Sequence, residues 1–146
     1  MVSSVSQVPN QPTSAQRWAV AAHSAIEAAG PAGLGDILAD DFVQESHRSG
    51  SLSVRREGML GTVRMMKEMG LHVAGEPVAV AGDLHLLTRR RYVHERDTVE
   101  LLAISEWSVD GRLVRLVEYD AGALDAALGA LADLSGEPVV RLDSAG

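Results

Sequence analysis

Four strand-like segments follow one another between Leu71 and Tyr119, and the turns between them are too short to hold a crossover helix. The first, Leu71 to Val80, carries Pro77, which suits an edge or a bulge. Gly82-Asp83 turns the chain into the second, Leu84 to His94. Glu95 to Thr98 leads into the third, Val99 to Val109. Asp110-Gly111 is the strongest hairpin signal in the chain and leads into the fourth, Arg112 to Tyr119. Strands joined this way pair antiparallel.

The first half of the chain reads differently. Residues 1–12 are rich in Ser, Val, Gln and Pro without a period, and they read as a flexible segment. Thr13 or Ser14 can cap a helix over Ala15 to Ala29, where Trp18, Ala22, Ile26 and Ala29 form one stripe. Gly30-Pro31 ends it, and Ala32 to Leu38 reads as a short second helix. Asp40-Asp41 reads as a turn, Phe42 to His47 as a strand and Gly50 to Val54 as a loop or brief strand. Arg56 to Met69 is a third helix with Met59, Val63 and Met66 on one face, closed by Gly70. After the strands, Asp120 can cap a last helix over Ala121 to Leu134, and 135–146 reads as a tail. Helices gathered before an antiparallel sheet imply an α+β domain over residues 13–134. A curved sheet wrapped around those helices makes a cone with an internal pocket, a shape suited to small molecules.

Composition narrows the function. The 146 residues suit one domain, and the net charge of −7 argues against a nucleic-acid partner. No run of about 18 apolar residues suggests a membrane span, and the N-terminus does not read as a signal peptide. With no cysteine, disulfides and thiolate chemistry are excluded, and a cytoplasmic setting is expected. The five histidines lack metal-ligand spacing, and no phosphate-binding or nucleophile-elbow motif is present, so neither metal nor cofactor is expected.

The candidate chemistry lies on the late strands. A three-residue turn with Gly111 in a left-handed bulge sets Ser108 opposite Arg112. Leu102, Ile104 and Glu106 then share the pocket face with Val114, Leu116 and Glu118. A two-residue turn instead sets Glu106 against Arg115 as an ion pair. The bulged turn segregates the faces better, but both stay open. Desolvation disfavours a carboxylate's charged form, which suits a general acid or base. An ion pair with an arginine is the plainer role for Glu118, and a helix cap the plainer one for Asp120. On the second strand, Leu84, Leu86, Thr88, Arg90, Tyr92 and His94 alternate onto one face. Arg90 can orient a ligand, bind an anion or pair with Glu106 or Glu118. Tyr92 can donate to a developing oxyanion. On the first strand Gln44 and Ser46 follow Phe42 inward, and His47 offers an imidazole base. Trp18, Met59 and Met66 add apolar wall.

Leu38-Ala39-Asp40-Asp41-Phe42-Val43, Gly111-Arg112-Leu113-Val114 and Glu118-Tyr119-Asp120 before a helix together resemble the nuclear transport factor 2-like superfamily, in its SnoaL-like branch, over about residues 14–134. The resemblance implies the cone fold. It also implies a choice among cofactor-free isomerases, cyclases, dehydratases and epoxide hydrolases, ligand binders and dimerising modules, including domains of actinobacterial regulators. It places the family's last-strand acid at Glu118 or Asp120. Ser46 stands about where the isomerase branch has an aspartate base, which counts against steroid-isomerase chemistry. The expected function is acid–base catalysis on a small apolar metabolite by Glu118, His47, Tyr92 and Arg90; the alternative is a non-catalytic binding or dimerisation module. In the bulged register Leu101, Ala103, Trp107, Leu113, Val117 and Tyr119 form an apolar outer face, from which a homodimer is expected.

Overall fold

The computed structural model describes residues 11–48 and 53–143. The expectations for 1–10, for 49–52 and for the end of the tail lie outside these residues. Helix α1 spans Ser14–Ala29, and Thr13 caps it in a reciprocal box with Gln16. Helix α2 is Pro31–Gly35 and α3 is Arg56–Glu68. The strands are β1 Leu38–Ser46, β2 Val54–Arg55, β3 His72–Ala81, β4 His85–His94, β5 Asp97–Trp107 and β6 Leu113–Asp120. Helix α4, Leu124–Ser135, and a short β7, Val139–Arg141, complete the chain.

The seven strands form one sheet in the order β2-β1-β6-β5-β4-β3-β7. The α+β class stands, but the sheet is mixed, because β1 runs parallel to β6. Helix α3 and four strands separate β1 from β6 in the chain, so the hairpin rule does not govern that pair. Asp40 and Asp41 lie inside β1 at a shift in its register rather than in a turn. Val139–Arg141 pairs with the free edge of β3, so part of the expected tail is sheet. The register of β3 shifts just past Pro77, where the imino nitrogen offers the ladder no donor.

Two cores sit on the two sides of the sheet. On the concave side, Ala15, Leu34, Val63, Leu86, Leu101, Ala103, Trp107 and their neighbours pack under α1, α2 and α3. On the convex side, Leu87, Leu102, Ile104, Val117 and Tyr119 pack under α4, with Ala127 and Leu131 fully buried. The outer face expected to carry a homodimer therefore does not exist as one surface. Leu101, Ala103, Trp107 and Leu113 face the first three helices, and Val117 and Tyr119 lie on the α4 side.

The last hairpin explains the difference. Its turn closes as the bulged version requires: the Ser108 amide donates to the Arg112 carbonyl, and Gly111 has φ +88°. A second irregularity follows at once. Trp107 pairs with Leu113 but Glu106 pairs with Arg115, so Val114 has no partner in the ladder. This skip turns β5 over relative to the expectation. Gly111 is also required sterically, since a Cβ there would stand 3.1 Å from the Trp18 ring.

Candidate active site in the cone

A cavity of about 1270 Å³ lies between the concave face of the sheet and α1 and α3. Its walls are graded, and the strand register sets the order. Trp107 pairs with Leu113 at the apolar end, where Trp18 packs against Trp107 with ring centres 6.1 Å apart. The Trp107 Nε1–H donates to Ser105 Oγ at 3.0 Å, so the indole's polar edge is satisfied inside the core. The next rung joins Leu86, Ser105 and Leu116. Above it, Thr88, Ala103, Glu118 and Ser46 form a rung across four strands. Arg90 and Leu101 follow, then Tyr92 and Val99, then His94 and Asp97.

Glu118 is the chemically distinctive group. It is 6 % exposed and lines the cavity, and its carboxylate has neither a hydrogen bond nor an ion pair to any described residue. Its in-register neighbours, Ala103 and Ser46, are too short to cover it. Arg90 and Tyr92 line the same cavity on β4, where clean alternation placed them. Arg89 and Arg91, on the other face, both reach Glu100, and Arg91 Nε donates to it at 2.9 Å.

Several other candidates lie in this wall. Gln44, Met59, Met66 and Leu116 all line the cavity. Trp18 does so only through Trp107, which it backs. Ser46 shares the Glu118 rung, and its hydroxyl accepts from the Arg48 amide at 3.2 Å.

Four expectations about placement and role are corrected. Glu106 is on the convex side, 3.3 Å from Arg115 and 3.7 Å from His85, because the skipped Val114 reverses its strand. Ile104 is buried in the α4 core for the same reason. His47 follows Glu45 onto the convex side and stacks on Tyr119, with ring centres 4.7 Å apart and planes 7° apart. Burial, and then the Glu45 charge, raises the Tyr119 phenol above its usual range. Imidazole and Glu118 therefore face opposite sides of the sheet. Asp120 does not cap α4, whose N-cap is Ala123; its carboxylate stands 3.7 Å from Arg48 Nε.

The register brings in residues that sequence reading had not placed at the site. Ser105, Leu101 and Trp107 line the cavity on β5, and Arg48 joins them from the end of β1. On β5 both faces are apolar, so no alternation marked the inward set. Among the described residues no cluster of His, Asp and Glu could hold a metal ion, and no helix is long and apolar enough to cross a membrane.

No protein-family model matches the chain, and no curated protein matches it. Solved structures do. An NTF2-like protein of unknown function from Mesorhizobium loti superposes with TM-score 0.60 at 16 % identity, over 77 % of this chain and 95 % of its own. The chain has the nuclear transport factor 2-like fold. An epoxide hydrolase from M. tuberculosis, of the kind called LEH-like, shares the NTF2-like architecture at TM-score 0.53 and 21 % identity, over 88 % of this chain and 99 % of its own. A second Mycobacterium tuberculosis protein, solved in complex with estradiol-17β-hemisuccinate, matches at TM-score 0.56 and 12 % identity, over 73 % of this chain and 93 % of its own. One of these two neighbours is named as an enzyme, and the other was solved with a small molecule bound.

Proposed function

We propose that this protein takes a small apolar metabolite into the cone and acts on it without a cofactor by general acid–base chemistry, as a SnoaL-like isomerase, cyclase, dehydratase or epoxide hydrolase. The observation that carries the reading is Glu118, a buried carboxylate without a protein partner, facing a cavity with a mostly apolar wall. A carboxylate that no described residue engages is free to act on a molecule bound in the cavity.

In this reading Glu118 is the catalytic base or acid. It takes a proton from a carbon or from an attacking water, and it returns that proton to a carbon or to the leaving oxygen. The Tyr92 hydroxyl, two rungs toward the polar end, donates to the oxygen on which charge develops, and the Arg90 guanidinium, one rung away, orients the ligand. Trp107, Leu86, Leu116 and Met66 hold the apolar body. His47 has no part in the reaction, since it faces away from the cavity. The residues read as one apolar outer face lie on both sides of the sheet, so that argument for a homodimer falls away.

The test is turnover by the purified protein of a panel of apolar epoxides and β,γ-unsaturated ketones, beside Glu118→Gln. The proposal expects at least one substrate to react and the variant to lose about 10²–10⁴-fold of the rate. Ligand binding with no turnover anywhere, and no difference in the variant, would instead leave a non-catalytic binding module with the same pocket.

A further inference from the structure

Arg89, Arg90 and Arg91 are consecutive, yet only two of them are neutralised. Arg89 lies 3.7 Å and Arg91 2.9 Å from Glu100 on the convex side, and Arg89 also approaches Glu76 at 4.0 Å. Arg90 points the other way. It is half-buried in the cavity wall, and no carboxylate oxygen of a described residue lies within 4.0 Å of its guanidinium. The chain has seven more acidic than basic groups, so carboxylates are not scarce. The residue beside Arg90 on β3 is Gly75, whose missing side chain leaves the arginine stem uncovered. Glu118 could have served as its partner. The two are instead two strand spacings and one rung apart, about 12 Å between Cα positions at ordinary strand geometry.

A cation and an anion that share one apolar cavity without meeting leave space for a molecule between them. We infer that the ligand is an apolar organic acid, its carboxylate held by Arg90 and its body lying past Glu118 toward Trp107. The inference rests on the reading of the cone as a small-molecule site, and it adds the charge of the ligand and the direction in which it enters. The guanidinium fork suits a carboxylate, with two parallel N–H donors for two oxygens. Placing the acid at the Arg90 rung keeps it near the polar end, where Tyr92 and His94 follow, and leaves the deeper rungs to hydrocarbon. The acid is also held away from Glu118, which would repel it, and the carbons nearest that carboxylate become the reacting ones. The acidic surface of the chain does not attract anions in general, so affinity for this class must come from the site.

Two probes with the same rings separate charge from apolar fit. 1-Anilinonaphthalene-8-sulfonate carries an anion, and N-phenyl-1-naphthylamine lacks it; both brighten in an apolar cavity. The full-length protein should bind both. Arg90→Gln should weaken the sulfonate at least tenfold and change the neutral probe less than twofold. Arg89→Gln, on the opposite face, should change neither. Equal loss of both probes in Arg90→Gln, or no loss of either, would overturn the inference. If Arg90→Gln does not fold, the wild type still decides. 3-Phenylpropanoate should displace the neutral probe at a concentration at least tenfold below that of 3-phenylpropan-1-ol, and equal potency would overturn the inference. Failure of the neutral probe to bind the wild type would sink the reading of the cavity itself, a different outcome from a neutral probe that binds without any preference for acids.

Discussion

Glu118 pairs in register with Ala103 on one side and Ser46 on the other, so the most buried acid of the sheet stands between two of its smallest neighbours. That arrangement leaves its carboxylate open to the cavity and without a counter-charge. Removing the charge should therefore leave the fold intact as it harms the function. Glu118→Gln keeps the shape of the side chain and breaks no contact with a described residue. We expect its stability, from urea unfolding at neutral pH, to lie within about 0.5 kcal/mol of wild type, while turnover is lost. A loss of stability on this substitution would mean that the carboxylate has a structural partner.

Gly111 sits at φ +88° in the hairpin turn, directly over Trp18. Gly111→Ala adds a methyl at 3.1 Å from the indole and forces an unfavourable backbone region. The expected cost is about 1–3 kcal/mol. Because Trp18 and Trp107 are the only tryptophans and pack on each other, the emission spectrum of the folded variant should shift as well. An unchanged spectrum and unchanged stability would show that the turn is not held against α1.

The β4 face was legible because every second residue, Leu84, Leu86, Thr88, Arg90, Tyr92 and His94, grades from apolar to polar as a cone with a polar mouth requires. Glu118 was legible only in part. Its strand was read correctly, but Glu106 stayed open between the pocket face and an ion pair with Arg115; the pair forms, although the turn is the bulged one that favoured the pocket. Nothing in Leu101-Leu102-Ala103-Ile104 distinguishes the faces, since both are buried. The register then depends on one unpaired residue, Val114, which no turn motif announces. Helix α4 was read as a helix, but its position was not. Its apolar residues call for burial without saying which side of the sheet supplies it, and that choice removes the expected outer face. His47 was misplaced because it lies five residues from inward Phe42, and alternation sends it to the other face.

Leu131 tests that account of the convex side. It is fully buried beneath α4, among Ala127 and the outward residues of β3 to β6. Leu131→Ala should cost about 2–5 kcal/mol by leaving a cavity there. The folded fraction should still bind the neutral naphthylamine probe with unchanged affinity, because the concave core is separate. A mild effect on stability would mean that α4 is loosely attached and that the convex face is available for assembly after all.

Asp83, in the turn between β3 and β4, ties down the start of α1: its carboxylate accepts from the Ser14 amide at 2.7 Å, and its carbonyl accepts from the Ala15 amide at 3.0 Å. The Ser14 hydroxyl and then the Ser14 amide hold the Asp83 carboxyl below the usual carboxylate range, with a smaller contribution from the Arg17 charge. The folded state therefore binds this proton more weakly than the unfolded chain. The stabilisation is present above the unfolded value, near 3.9 for an aspartate, and is lost as the pH falls through the lower folded value. The site is exposed, so the effect is modest and screened by salt. Asp83→Asn should lower the melting temperature by a few degrees at pH 7, with the difference from wild type shrinking as the pH drops below about 4. A difference that stays constant across that range would assign the loss to the turn's backbone geometry and not to the carboxylate.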